Sequence, residues 1–257
     1  MNSVKLVGMT QPTANIEAHS VAQMLAYIAR VSNPKNQANH KTGPKLLYSL
    51  MRDQHWSPLE MVSLTMEIIT TRDIGRQILR HRTFTFQEFS QRYAVAESPY
   101  VLREARLQDT KNRQNSVEVD DQRLKEDWNM NQKVVEQACS GAYFWALDKG
   151  IAKEQARAVL PEGMTETTMY MQGTLRSWVH YCVLRMANGT QKEHMEIAAL
   201  AWDVIRTHFP DIVSAVEHLQ SLERDKELKV LLWEQVAADN PEAAAAAFQK
   251  IVLDKEV

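Results

Sequence analysis

Apolar positions recur along this chain with two different periods, and the switches between them predict its elements. A short strand is expected over Val4–Met9, and a helix over Val21–Val31 that turns Met24, Leu25 and Ile28 to one face. A second helix should start at Thr42-Gly43-Pro44, with Leu46, Leu47, Leu50 and Met51 at helical spacing as far as Asp53. From Val62 the period drops to two. Val62, Leu64, Met66 and Ile68 alternate with Ser63, Thr65 and Glu67, the pattern of a strand buried on one face. Thr71 to Asp73 then supply capping side chains for a helix that carries Ile74, Ile78 and Leu79 inward and sets Arg76 and Arg80 one turn apart.

The segment Thr83 to Gln91 leaves that helix, and Arg92–Ala96 reads as another short strand. Ser98–Asp121 mixes both charge signs without a sustained apolar period and reads as a long surface loop. Helices are expected over Gln122–Asp148, ended by Gly150, and over Lys153–Leu160, stopped by Pro161. Thr165–Thr174 favours extended chain, and Leu175–Ala187 a helix broken by Gly189. Thr190-Gln191-Lys192-Glu193 is a capping box opening a helix with Ile197, Leu200, Ala201, Val204 and Ile205 inside. The remainder reads as helical, ending in a peripheral or subunit-facing helix after Pro241. The Trp and Met residues, Trp178 and Met186 among them, are expected in the core.

Composition narrows the class. With 257 residues, 44% apolar and 24% charged, the chain is an ordinary globular protein. One domain over 1–220 with a helical extension over 221–257 is the simplest division. No apolar run approaches the roughly 20 residues that span a bilayer, and the start is too polar for a signal peptide, so a cytoplasmic protein without membrane contact is expected. A net charge of −2 gives no long-range attraction to nucleic acid, so any phosphate must be held by locally placed cations. Cys139 and Cys182 lack C-x-x-C spacing, which removes zinc ribbons and dithiol redox motifs. His55, His81, His180 and His194 lack H-x-x-x-H or H-E-x-x-H spacing, and no metal site is expected.

The local cations are found at Arg80-His81-Arg82, read as three adjacent charges that are costly to hold together without an anion. Gln87, Glu88, Ser90, Arg92 and Tyr93 follow, a donor, carboxylate and guanidinium set that suits the phosphate, ribose and flat base of a nucleotide. Taken alone, the triplet also fits solvated arginines stacked on Phe84, Phe86 and Phe89.

The longer string RHRTFTFQEFSQRY, residues 80–93, resembles the signature of the flavin-dependent thymidylate synthases: R-H-R, seven residues, S, continuing to R-Y. Further blocks resemble that family in the same order. These are Ala29-Arg30-Val31-Ser32, His55-Trp56-Ser57-Pro58-Leu59-Glu60, Ala156-Arg157-Ala158-Val159-Leu160-Pro161, Leu175 to His180, Leu184-Arg185, and Gln191 with Glu193. The likeness covers roughly residues 25 to 205 in blocks. It implies an α/β (α+β) domain with a small, mostly antiparallel twisted sheet flanked by long helices.

The resemblance also implies roles. His55, Ser57, Arg80, His81, Arg82, Glu88, Thr174, Arg176 and His180 would contact FAD. Gln77, Arg80, Glu88, Ser90, Gln91, Arg92, Arg157 and Arg185 would surround dUMP, with Ser90, Arg92 and Arg157 near its phosphate and Arg185, the catalytic residue, against the uracil. NADPH and 5,10-methylenetetrahydrofolate would be co-substrates, and the sites would form between subunits of a homotetramer. Thr85, Gln87, Met61, Thr174, Gly189 and His194 depart from the family's usual Ser, Asn, His, Asn, His and Ile. Neither cysteine suits the thiolate of the other thymidylate synthase class, and Ser90 has no evident His-Asp partner, so no covalent nucleophile is expected. Two rival readings are a metal-dependent nucleotide hydrolase and an RNA-binding module with the phenylalanines as a stacking platform.

Overall fold

The computed structural model describes residues 2–97 and 100–239, which fall into two compact units, 1–43 with 56–208 and 44–55 with 209 onward. In the larger unit, four strands form an antiparallel sheet in the order β1-β2-β6-β3, from Ser3–Met9, Ser63–Thr71, Glu166–Thr174 and Thr85–Glu88 respectively. The period-two reading of β2 holds residue by residue: Leu64, Met66 and Ile68 are fully buried. They pair with Gly173, Met171 and Met169 of β6, so one face of the central strands is a continuous apolar layer. The other face is polar, where Glu67 accepts from Lys5 at 2.7 Å and from the Tyr170 hydroxyl at 2.8 Å.

Around the sheet stand α1 (Val21–Ala29), α3 (Arg72–Ile78), α4 (Gln122–Asp148), α5 (Lys153–Ala156), α6 (Leu175–Arg185) and α7 (Lys192–His208). Ser20 caps α1, Asp121 caps α4 and Thr174 caps α6, each side chain accepting a backbone N–H of the first turn. Gly150, at φ +75°, ends α4 in the left-handed conformation that other residues avoid. Against the sheet pack α3 and α6, while α7 packs on α6, α3 and β1 with Ile197, Ala201 and Ile205 fully buried.

In the smaller unit, α2 (Gly43–Arg52, of which all but Gly43 belong here) buries Leu47 and Met51, and α8 (Pro210–Asp239) buries Ile212, Val213, Ala215 and Val216 near its start. Tyr48 stacks on His218, with its hydroxyl 3.1 Å from the ring Nδ1. The expected helix after Pro241 lies outside the described residues.

Five expectations need correction. Thr71 stands at the N-cap of α3, but its hydroxyl donates to Asp73 and caps no first-turn amide. Arg92–Ala96 is turn and irregular chain, and the strand lies earlier, at β3, where alternation was masked by aromatic and polar residues. The loop read over Ser98–Asp121 contains a hairpin, β4 (Arg106–Gln108) with β5 (Ser116–Glu118), closed over a turn in which Asp109 accepts from the Lys111 and Asn112 amides. The α7 helix begins at Lys192, and the Glu193 carboxylate read as half of a capping box is bound instead by Arg103, Arg106 and Gln191. Not every Trp and Met is core: Trp178 is fully buried, but on α4 Trp145 is 60% and Met130 63% exposed.

Candidate active site

The α3 helix positions the triplet. Its last buried residue, Ile78, fixes the C-terminal end under the sheet, and Arg80, His81 and Arg82 follow in the turn, where the His81 amide donates to Ile78 O at 3.0 Å. Phe84 then plunges inward, meeting Trp178 at 4.9 Å and Tyr181 at 5.9 Å between ring centroids, both edge-on. That anchor holds the two flanking guanidiniums at the surface while turning His81 toward α6, where its ring lies 4.9 Å from Tyr181.

Three adjacent charges are not what results. The Arg185 Nε–H donates to His81 Nε2 at 2.9 Å, which requires an unprotonated Nε2. Burial, and then the Arg185 and Arg80 guanidiniums, push the His81 pKa down to about 4. His81 is therefore a neutral acceptor between cations, a state that a sequence of basic letters conceals.

Four guanidiniums at the predicted positions Arg80, Arg82, Arg157 and Arg185 have no carboxylate partner among the described residues. Glu88, at the end of β3, accepts through Oε1 from Arg72 at 3.3 Å and from the Thr167 hydroxyl at 2.9 Å. Gln91 is buried, and its Nε2 has no hydrogen-bond partner among the described residues, an arrangement that costs about 1–3 kcal/mol until an acceptor is supplied. Ser90 is exposed beside it, while Arg92 pairs with Glu154 at 3.3 Å on the surface, a contact of little energetic weight.

Ser57, Thr174, Arg176 and His180 gather about α6 and the turn packed on it. Arg176 pairs with Glu60 of the short 3-10 turn Ser57–Met61, and His180 packs against Trp56 with ring centroids 4.5 Å apart. Burial, and then Arg176, lower the His180 pKa. Ser57 is exposed at the head of that turn. The Thr174 hydroxyl is already committed as the α6 cap, accepting from the Ser177 amide at 3.2 Å. His55 is exposed and belongs to the smaller unit.

Sequence reasoning missed a second layer. Gln77 donates to Gln191 at 2.7 Å and meets His194 at 3.2 Å, while the other nitrogen of His194 meets the Tyr181 hydroxyl at 3.2 Å. Arg103 bridges Asp73 at 2.8 Å and Glu193 at 3.2 Å, and Arg106 also reaches Glu193. Burial would push the Glu193 carboxyl up, but its own amide, Gln191, Arg103 and Arg106 outweigh this and hold it below the usual range. The loop bearing the two arginines is pinned to α4, with Gln132 bonding both the N–H and C=O of Arg103 at 2.7 and 2.9 Å. Gln77, Gln191 and Glu193 stood in the sequence as residues shared with the family and His194 as a departure from its usual Ile, but nothing there linked them to one another or to Arg103 and Arg106.

A cavity of about 530 Å³ lies between the β4–β5 hairpin and the start of α4, lined by Arg106, Leu107, Leu124 and Trp128 among others. None of the predicted site residues lines it.

A family model described as thymidylate synthase complementing protein matches residues 15–211. A probable flavin-dependent thymidylate synthase of Paramecium bursaria Chlorella virus 1 is 46% identical over 219 residues, 84% of this chain and 99% of that protein. The chain belongs to the flavin-dependent thymidylate synthase family. Within that family the Synechocystis sp. enzyme is 46% identical over 216 residues, covering 83% of this chain and 99% of the relative. In fold, this family member resembles a UMP/dUMP methylase, PolB from Streptomyces cacaoi, bound with 5-Br dUMP. The TM-score is 0.72 at 25% identity, over 85% of this chain and 95% of that one.

Proposed function

We propose that this protein converts dUMP to dTMP by reductive methylation, with FAD as its cofactor, 5,10-methylenetetrahydrofolate as carbon donor and NADPH as reductant. The carbon to be transferred arrives at the methylene level and leaves as methyl, which takes two electrons. With those electrons drawn from NADPH, the folate is released as tetrahydrofolate and NADP⁺ as the oxidised product. When bound, FAD supplies the reducing equivalents, and the protein supplies binding, orientation and electrostatics.

One observation carries the reading: the contact between Arg185 and a neutral His81, inside the R-H-R string. An arginine donating to an imidazole keeps its full charge, since no carboxylate neutralises it among the described residues. Such a guanidinium stabilises negative charge as it develops on a uracil ring, and in a dry site this is worth a few kcal/mol, about 3–4 for one well-placed donor. Arg80 and Arg82 suit the flavin's phosphates and Glu88 its polar edge, with Ser57, Arg176 and His180 at the α6 end. Ser90, Arg92 and Arg157 suit the nucleotide phosphate, and Gln77, Glu88 and Gln91 its sugar and base. The orphaned Gln91 amide supports a ligand oxygen at that point.

No covalent thiol enters. Burial pushes the Cys182 thiol up, away from thiolate, and Cys139 lies half-buried on α4. Assembly as a homotetramer with shared sites is supported by α4, which exposes Trp128, Val134, Val135, Phe144 and Trp145. It is supported also by Ser57, Arg80, Arg82, Ser90, Arg92 and His180 lying exposed on the surface rather than in the 530 Å³ cavity. No described helix is long and apolar enough to cross a membrane.

The reading is tested on purified protein. A yellow protein whose flavin spectrum changes on adding dUMP supports it. A colourless one that binds a divalent metal stoichiometrically and ignores dUMP favours a hydrolase.

A further inference from the structure

The polar groups behind Gln77 form one directed chain. Glu193 is an ionised carboxylate, which accepts hydrogen bonds and cannot donate them. Gln191 must therefore turn its NH₂ to Glu193, at 2.8 Å, and its carbonyl to Gln77. Gln77 must in turn present its own NH₂ to that carbonyl, at 2.7 Å, which leaves its Oε1 facing His194 Nδ1 at 3.2 Å. Nδ1 must then carry the imidazole proton, and Nε2 must accept from the Tyr181 hydroxyl at 3.2 Å. Each orientation follows from the one before, and the charge on Glu193, clamped by Arg103 and Arg106, sets them all.

His194 is the link that a hydrophobic residue could not supply. It is fully buried on α7, between α3 and α6, and burial, then Arg185 and His81, keep it neutral down to about pH 3. A protonated ring would donate from both nitrogens and break the order, and an Ile would take away the partner of the Tyr181 hydroxyl and of the Gln77 carbonyl oxygen.

We propose that His194 is a positioning residue: held as its Nδ1–H tautomer, it locks the Gln77 amide so that the second N–H of that amide is presented to an oxygen of the nucleotide. The nucleotide part of this statement rests on the proposed function. The locked amide does not.

Two conservative variants separate the halves of the imidazole. The amide of Asn lies near the position of Nδ1 and can still donate to Gln77, whereas that of Gln lies near Nε2 and serves Tyr181 alone. The full-length FAD-loaded protein is titrated with dUMP, following the flavin absorbance. His194→Gln is expected to weaken dUMP binding about five- to tenfold, the size of one neutral hydrogen bond, and His194→Asn to recover most of that loss. Equal weakening in both variants, or none in either, overturns the proposal. Without any ligand, nitrogen correlation spectra of ¹⁵N-histidine-labelled protein should show His194 protonated on Nδ1, and an Nε2–H tautomer also overturns it. A wild-type protein that holds FAD but not dUMP would sink the functional reading instead, while the tautomer still decides whether the amide is locked.

Discussion

Gly173→Ala makes the sharpest demand on the packing that holds the site. Gly173 lies in β6 opposite Leu64, and a Cβ there would stand 2.4 Å from Phe84 Cδ1, 2.6 Å from Cε1 and 3.2 Å from Cγ. Ordinary carbon contacts are about 3.5–4.0 Å, so the ring would have to retreat by roughly 1 Å or more. It has little room, being 7% exposed and bounded by Trp178, Tyr181, Phe86 and His81. Overpacking of this kind costs about 1–3 kcal/mol, and disturbing the edge-on aromatic contacts adds about 0.5–1.5. At about 2–4 °C per kcal/mol for a chain of this size, the melting midpoint should fall by roughly 3–18 °C. The displaced ring pushes on His81, so FAD and dUMP affinities should fall too. Calorimetry and flavin titration measure both, with Gly8→Ala as control, since nothing lies within 4 Å of its added Cβ. A Gly173→Ala protein that melts and binds as the parent does would refute the claim that Phe84 is wedged. Adding Phe84→Leu should restore part of the lost stability.

Other outcomes follow from the same geometry. Arg185→Ala should lower dTMP formation by about 100-fold or more in a folded protein, and His81 should then titrate above its present value of about 4, as nuclear magnetic resonance can follow. His81 and His194, pushed from an ordinary 6.5 to about 4 and about 3, stay unprotonated in the fold when the unfolded chain takes up protons. Their contribution to stability is therefore intact above pH 6.5 and falls progressively toward pH 4 and then 3, which denaturant titrations across that range measure. For the proposed homotetramer, light scattering should give four times the chain mass, and Trp145→Glu on exposed α4 should reduce it.

The sheet's central strand and the end of α4 were legible because single physical demands dominate there. Alternation in β2 answers to one buried face, and Gly150 to one left-handed backbone. The family was legible because its string combines residue types that rarely recur together at that spacing. What escaped was set by partners distant in sequence. Arg103 and Arg106 read as loop charges until Glu193 and Asp73 came beside them. His81 read as a cation until burial and two arginines made it neutral. In β3 the pattern T-F-Q-E shows no apolar alternation to mark an edge strand. The exposed tryptophans of α4 followed no core rule because helical spacing does not say whether an apolar face meets the same chain or another copy.

Tritium release from [5-³H]dUMP, with dTMP formation measured alongside, tests the central claim most directly, and the protein to use carries Cys139→Ala together with Cys182→Ala. Release and dTMP that persist at near parental rates, and that require FAD, NADPH and methylenetetrahydrofolate together, are the predicted result. Turnover lost in a folded, flavin-loaded double variant, or proceeding without FAD, would contradict it.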